Sequence, residues 1–289
     1  MIHDPNNMTH RLSTIIHHLS FVFTASVALF LILSPTTTLA SSKTLSVPNT
    51  SQAPYGYWGQ PWQDTCEEAS IVMVDNYYRG ITSKKIAKKD AKKQLLQLLE
   101  IKNQYYGKSL DEDANKVASL INNFYNWEAH VVAEPTLEML LAELDNGRPI
   151  IIPAYGKALK NIYFRNGGPD YHMLVLSGYD KDKKEFICQE PGLNTRGLDF
   201  RYKYDTIMNA MHDFTGKKGQ TKNGRKMAVF TQKELIDSAL TDKDKDGLNK
   251  QEELANKTFP WSKDTDKDGF DDKTEINTGH SPIIPAKKK

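Results

Sequence analysis

Apolar residues recur along this chain with two different periods. From Cys66 to Tyr78 they fall at 69, 72, 73 and 77, which is helical spacing, and Gly80 supplies a stop. Ser83 is placed to cap a second helix running to about Leu99, and a third is expected from about Leu110 to Tyr125. A fourth, from Thr136 to Leu144, begins with a pattern close to a capping box, with Glu138 one residue early. The other segments are short, rich in β-branched residues and bounded by Gly, Pro, Asn or Asp. Ala129 to Ala133, Pro149 to Ala154, His172 to Gly178, Glu185 to Glu190 and Lys226 to Thr231 therefore read as strands. A further helix is expected from Tyr204 to Met211. Helices first and strands afterwards predict an α+β domain with an antiparallel sheet, spanning residues 53–238.

The N-terminal forty residues follow another rule. Phe21 to Leu33 is an unbroken weakly polar to apolar run, and Thr38 and Ala40 stand at minus three and minus one from Ser41. This is the pattern of a secretory signal peptide over residues 1–40, cleaved after Ala40, which predicts a secreted or cell-surface protein. The alternative is an uncleaved membrane anchor, because Ile15 to Leu33 is nearly long enough to span, though His17 and His18 interrupt it. After cleavage no membrane span is expected. Residues 41–52 are polar and read as a linker.

Composition adds little to this division. A chain of 289 residues with 39% hydrophobic and 26% charged residues suits one ordinary domain and a smaller module. A formal net charge of +2 and no basic motif with interleaved aromatics argue against a nucleic-acid partner.

Two cysteines are present, so a candidate nucleophile can be named directly. Cys188 lies in the apolar run Phe186-Ile187-Cys188, the setting of a buried free thiol, and a domain of this size needs no staple. A Cys66–Cys188 disulfide is the competing arrangement. Cys66 has polar flanks and sits at the start of the first helix, where unpaired N–H groups favour a thiolate. Asp64, Glu67 and Glu68 oppose that by like-charge repulsion, so a cationic partner is required. His172, heading a strand after Asn166-Gly167-Gly168-Pro169, is the candidate base; a histidine there also serves simply to cap a ladder. Glu190 or Gln189, at the end of the next strand, can orient its ring. Gln60 is the candidate oxyanion donor together with the Cys66 N–H, with Gln63 as its rival.

Gln60…Cys66-Glu67…Ser70, then Y-H-M-L-V-L-S-G-Y-D, then Gln189-Glu190-Pro191-Gly192 resembles the cysteine peptidases that process bacteriocin leaders after a double glycine. It is most similar to their stand-alone exported, C39-like relatives. The resemblance covers about residues 53–235. It implies a papain-like fold with Gln60, Cys66 and His172 in the oxyanion, nucleophile and base positions. Two departures stand out: transporter-linked members have Cys-Gly where this chain has Cys66-Glu67, and the usual third residue is aspartate where this chain has Glu190.

Beyond the domain, residues 239–283 carry an acidic repeat of 22-residue period, D-K-D-K-D-G-L-N-K-Q-E-E and then D-T-D-K-D-G-F-D-D-K-T-E. Asp242, Asp244, Asp246 and Glu253, and likewise Asp264, Asp266, Asp268 and Glu275, occupy positions one, three, five and twelve of a calcium loop. Gly247 and Gly269 permit its sharp turn. The apolar residue comes at position seven (Leu248, Phe270), and Phe259-Pro260-Trp261 breaks the helix that would lead into the second loop. The pattern resembles bacterial thrombospondin type 3 repeats, which implies structural Ca2+ in a rigid spacer or anchor apart from the active site. A solvated charge-rich linker is the plainer alternative. Residues 284–289 form a basic tail.

Lys84, Lys85, Lys88, Lys89, Lys92 and Lys93 line one side of the second helix, a wet surface that also suits an anionic cell-wall polymer. Together these features predict an exported thiol hydrolase of peptide or amide bonds, needing no cofactor for catalysis, with Cys66, His172, Glu190 and Gln60 as its machinery. A non-catalytic surface recognition module on the same fold, and an amidase acting on peptidoglycan stem peptides, are the alternatives.

Overall fold

The computed structural model describes residues 41–286 except 109, 234–239 and 261. The signal segment 1–40, the domain end at Ser238 and the last three residues of the basic tail lie outside the described residues.

Four helices precede or interleave with the sheet: α1 (Cys66–Tyr78), α2 (Lys88–Tyr106), α3 (Ala114–Phe124) and α4 (Leu137–Asp145). The strands are β1 (Ser42–Thr44), β2 (Trp127–Ala133), β3 (Ile150–Ala154), β4 (His172–Asp180), β5 (Glu185–Gln189), β6 (Phe200–Lys203) and β7 (Met227–Lys233). They form one antiparallel sheet in the order β2-β7-β3-β4-β5-β6, with β1 paired to the far end of β4. A short α5 (Tyr204–Ala210) follows β6. The architecture is the expected α+β one.

The core lies between the helices and the sheet. In α1 the residues from Cys66 to Val74 are all buried, and β3 is buried throughout. A helix enclosed on every side must bury its polar groups as well, so those groups need partners. Glu68 finds one in Lys102 of α2 at 2.7 Å, both side chains 1% exposed.

Besides the unexpected edge strand β6, the structure departs from the sequence reading in three places. The segment 41–52 is not a free linker: Ser42 to Thr44 pair with Gly178 to Asp180, Leu45 and Val47 enter the core, and Asn49 to Gln52 are buried. That same segment displaces the start of α2 from Ser83 to Lys88. The Asn49 amide donates to Lys84 O at 2.9 Å and Ile86 N to Asn49 O at 3.0 Å, which keeps 84–86 extended. Third, α3 begins four residues late because Asp113 caps it, accepting from Lys116 N at 2.9 Å. The preceding Glu112 amide is already committed to Glu67 Oε1 at 3.0 Å.

The acidic repeats carry two more short helices, α6 (Lys250–Asn256) and α7 (Asp272–Thr278). They belong to the same unit as the domain and touch α3: Lys243 Nζ donates to Asn122 O at 2.9 Å, and the Phe259 ring meets Phe124 edge-on at 6.0 Å. Among the described residues no helix is long and apolar enough to cross a membrane.

Candidate active site

A cleft of about 610 Å³ opens where the N-terminus of α1 faces the start of β4. Cys66 and His172 both line it, with Gln52, Trp58, Asp64, Asp111, Phe164, Gly192 and Lys218 among its other walls. No described residue of the acidic repeats does.

The first turn of α1 receives no side-chain cap from Thr65, whose hydroxyl is 3.1 Å from each of the Gln52 and Trp62 carbonyls. The leading N–H groups of the helix thus receive no acceptor from the Thr65 side chain. The Cys66 thiol donates to Glu67 Oε2 at 3.1 Å. Burial pushes this thiol well above its usual range, and the charges of Glu67 and Asp111 push it further. Burial also raises the Glu67 carboxyl, helped by Glu68 and Asp111. The repulsion anticipated from Glu67 and Glu68 is present, and Asp111, contributed by the loop before α3, adds to it.

His172 is nearly buried and is held on two sides. Its Nε2 lies 2.5 Å from Glu190 Oε1, and the Phe164 ring stands edge-on to the imidazole at 5.4 Å. Glu190 is fully buried, with its carboxylate shared among three donors: His172 Nε2, Gly192 N at 2.9 Å on the same oxygen, and Tyr202 Oη at 2.9 Å on the other. Tyr202 in turn accepts from Asn161 Nδ2 at 2.6 Å. Burial, then the Glu190 charge, raises the Tyr202 phenol, so it serves as a donor here. With Nε2 engaged by Glu190, Nδ1 is the ring nitrogen left to exchange a proton at the cleft. The extra methylene of glutamate over aspartate therefore does not separate this carboxylate from the imidazole. Gly192 is required beside it, because a Cβ would sit 2.9 Å from the Phe164 ring and 3.2 Å from His172 Cε1.

The remaining expected residues are distributed differently. Gln189 is turned away from His172: its amide donates to Ser177 Oγ at 3.1 Å and Asp199 Oδ1 at 2.8 Å. Cys188 is buried and free, as is Cys66, so no disulfide joins them. Gln60 is exposed and lies outside the cleft lining, because Asp64 Oδ2 captures its amide at 2.5 Å. Gln63 lines the cleft but is exposed. The buried glutamine of the cleft wall is Gln52, whose Nε2 donates to the carbonyls of Trp62 at 2.9 Å and Gln63 at 3.0 Å. Gln52, Tyr202, Asn161 and Asp111 were not singled out from the sequence. The aromatic–basic alternation of Phe200-Arg201-Tyr202-Lys203 was the one signal pointing to an edge strand there.

In the acidic repeats, carboxylate oxygens of Asp242, Asp244 and Asp246 lie within 4.8 Å of one another, and those of Asp264, Asp266 and Asp268 do the same. Loop amides turn onto the first carboxylate of each, Gly247 N to Asp242 Oδ2 at 3.0 Å and Gly269 N to Asp264 Oδ2 at 2.9 Å. Gly247 and Gly269 have φ of 101° and 105°, which a side chain would strain. Asp244 Oδ2, Asp266 Oδ2 and Glu275 Oε2 are buried without hydrogen-bond partners. Burial and the surrounding aspartates raise Glu275 to about 7. A donor set made only of carboxylate oxygens, several of them orphaned, fits a hard divalent cation such as Ca2+.

The family model described as Peptidase_C39 like matches residues 44–217, more than half of the chain. Among solved structures, a C39-like peptidase from Bacillus anthracis is 16% identical, covering 67% of this chain and 99% of its own with a TM-score of 0.43. No curated protein matches.

Proposed function

Since the chain belongs to the Peptidase_C39 like family, we propose that it is an exported cysteine peptidase-type hydrolase that cleaves peptide or amide bonds. The observation that carries this reading is the shared cleft of Cys66 and a His172 ring tied to Glu190. In the proposed reaction the thiol passes its proton to His172 Nδ1 while Sγ attacks the substrate carbonyl carbon. The oxyanion that forms is bound by the Cys66 amide and its neighbours in the first turn of α1. Gln52 replaces Gln60 as the side-chain donor, turning one of its two N–H groups from the 62–63 carbonyls to the oxyanion when substrate fills the cleft. The imidazolium then returns its proton to the leaving amine, and water releases the acyl group from sulfur by the reverse sequence. Glu190 fixes the ring and stabilises its charged form throughout.

Export belongs to this reading on the strength of residues 1–40 alone. Calcium does too: Asp242, Asp244, Asp246 and Glu253 would hold one ion, and Asp264, Asp266, Asp268 and Glu275 another. The ion supplies charge neutralisation that lets the acidic loops fold against α3, apart from the chemistry.

The experiment is cleavage of a mixed peptide library by the mature protein, with Cys66→Ala, His172→Ala and Gln52→Ala beside it. Loss of all cleavage in the first two, and a fall of about a hundredfold in kcat for the third, is expected. Gln60→Ala should cleave normally. One observation favours a second reading, a non-catalytic recognition module: the thiol is bonded to an acidic neighbour and held protonated. Peptides that bind both wild type and Cys66→Ala and are cleaved by neither would decide for that module. Stem peptides of peptidoglycan in the same library distinguish an amidase from a peptidase.

A further inference from the structure

A second kind of carboxylate cluster joins the two acidic repeats. Asp246 and Glu253 belong to the first repeat and Asp272 opens α7 in the second, yet one oxygen of each lies within 4.8 Å of the others. Glu253 is 1% exposed, and neither of its carboxylate oxygens has a hydrogen-bond partner. The neighbouring Thr258 hydroxyl donates instead to the Glu253 main-chain oxygen at 3.2 Å. Asp272 is 0% exposed and accepts from Thr265 N at 2.9 Å and Thr265 Oγ1 at 2.7 Å. Asp246, half-buried, accepts from Leu248 N at 2.7 Å and, across the repeat boundary, from Lys273 N at 3.3 Å. No described lysine, arginine or histidine forms an ion pair with any of the three.

Neutral donors do not balance three negative charges, and neither carboxylate oxygen of the third group, Glu253, has a partner within hydrogen-bond geometry. Buried carboxylates in this position are either protonated or paired with a cation. The count of charges separates this cluster from the loop sites. Asp242, Asp244, Asp246 and Glu253 already exceed the charge of one divalent ion, and Asp272 raises the group to five carboxylates around the first loop. Two divalent ions bring five carboxylates close to neutrality, whereas one leaves a large excess. Asp246 and Glu253 each have two oxygens, so each can face the loop ion with one and a second ion with the other.

We propose that a further Ca2+ binds between the repeats on Asp246, Glu253 and Asp272, in addition to one ion in each loop, and locks the two repeats together. Carboxylate oxygens alone, with no nitrogen or sulfur ligand, select calcium over zinc, and water and main-chain oxygens complete its shell of six to eight. The proposal rests on the reading that the loops themselves bind calcium.

Its test is the ion count of the whole mature protein, stripped by chelation, reloaded with CaCl2 and weighed by native mass spectrometry. Wild type is expected to hold three ions and Asp272→Asn two. Thr265→Val, which removes a hydrogen bond from Asp272 but no carboxylate, is expected to hold three and so separates loss of a ligand from loosening of the fold. Two ions in the wild type, or the same count in wild type and Asp272→Asn, would overturn the bridging site and leave the loop sites standing. A wild type that takes up no calcium would sink the loop reading itself, and the bridge with it.

Discussion

Cys66 gives its thiol hydrogen to Glu67 Oε2 at 3.1 Å, while Oε1 of the same carboxyl accepts from the Glu112 amide at 3.0 Å. Adjacent residues on a helix rarely face each other. Here the Glu112 amide, bonded to the other oxygen, holds the Glu67 carboxyl beside the thiol. The candidate nucleophile therefore rests protonated against an acidic neighbour.

Replacing that neighbour should release the thiol. In Glu67→Gln the one remaining side-chain oxygen can still accept from Glu112 N, while the thiol loses both the acidic neighbour and the oxygen that accepts its hydrogen. Burial remains the largest influence on the thiol, so its pKa falls without reaching the ordinary value. We expect the pH profile of iodoacetamide alkylation to move about one unit toward acid, with a rate at pH 7.5 raised about tenfold, since one unit is about 1.4 kcal/mol. An unchanged profile would show that Glu67 does not hold the proton.

The carboxylate behind His172 is constrained on both oxygens. Shortening it in Glu190→Asp breaks either the bond to His172 or the bond to Tyr202, and Glu190→Gln supplies an amide N–H where an acceptor is needed. We expect kcat to fall by about a thousandfold or more in the glutamine variant, with KM little changed. Tyr202→Phe touches no reacting atom and removes one hydrogen bond to Glu190. A loss of about tenfold in kcat, with the pH dependence displaced, would mark Tyr202 as a positioning residue. A change in thermal stability alone would assign it a purely structural role.

How far the sequence led depends on whether each signal was local. Helix α1 and its stop at Gly80 were legible because their apolar spacing and turn residue are contained within one segment. Cys66 and His172 stood at the starts of their elements, and those starts were read correctly. The segment 41–52 carries no strand signal of its own, because Leu45 and Val47 are isolated apolar residues in a polar run; only the partner strand β4 and the core reveal their role. Gln60 and Gln63 stand out in the sequence as oxyanion donors because they precede Cys66 closely. That Asp64 bonds the Gln60 amide and that the chain buries Gln52 in the cleft wall depends on the path of the chain, which no local pattern carries. Glu68 and Lys102, thirty-four residues apart, carry no mark of their pairing.

That pair gives a stability prediction. With both side chains 1% exposed, Lys102→Met removes the cation that offsets the burial of Glu68 and leaves its carboxyl without that partner in the core. Removing one partner of a buried pair costs about 3–5 kcal/mol, or about 6–20 °C in Tm for a chain of this size. Combining it with Glu68→Gln should recover most of the loss in a calorimetric double-mutant cycle. If the two losses simply add, the ion pair is not what anchors α2 to α1.

Asp213 supplies a test of pH dependence. Its Oδ1 accepts from Ala114 N at 3.0 Å, fixing the start of α3, and from Phe214 N at 2.9 Å. Burial raises the carboxyl from 3.8 to about 6 despite those two donors. An acid whose pKa is higher in the folded state binds its proton more tightly there. Its contribution is therefore greatest at low pH and disappears as the pH rises through about 6. Between pH 5 and pH 7.5 this removes about 1.4 kcal/mol, or about 3–6 °C in Tm. Asp213→Asn keeps an oxygen for both amides and cannot titrate, so the Tm of the variant relative to wild type should rise by that amount over the same interval. Parallel Tm curves for the two proteins from pH 5 to 7.5 would mean that Asp213 is already ionised in the folded chain, held by its two backbone donors more strongly than burial opposes it.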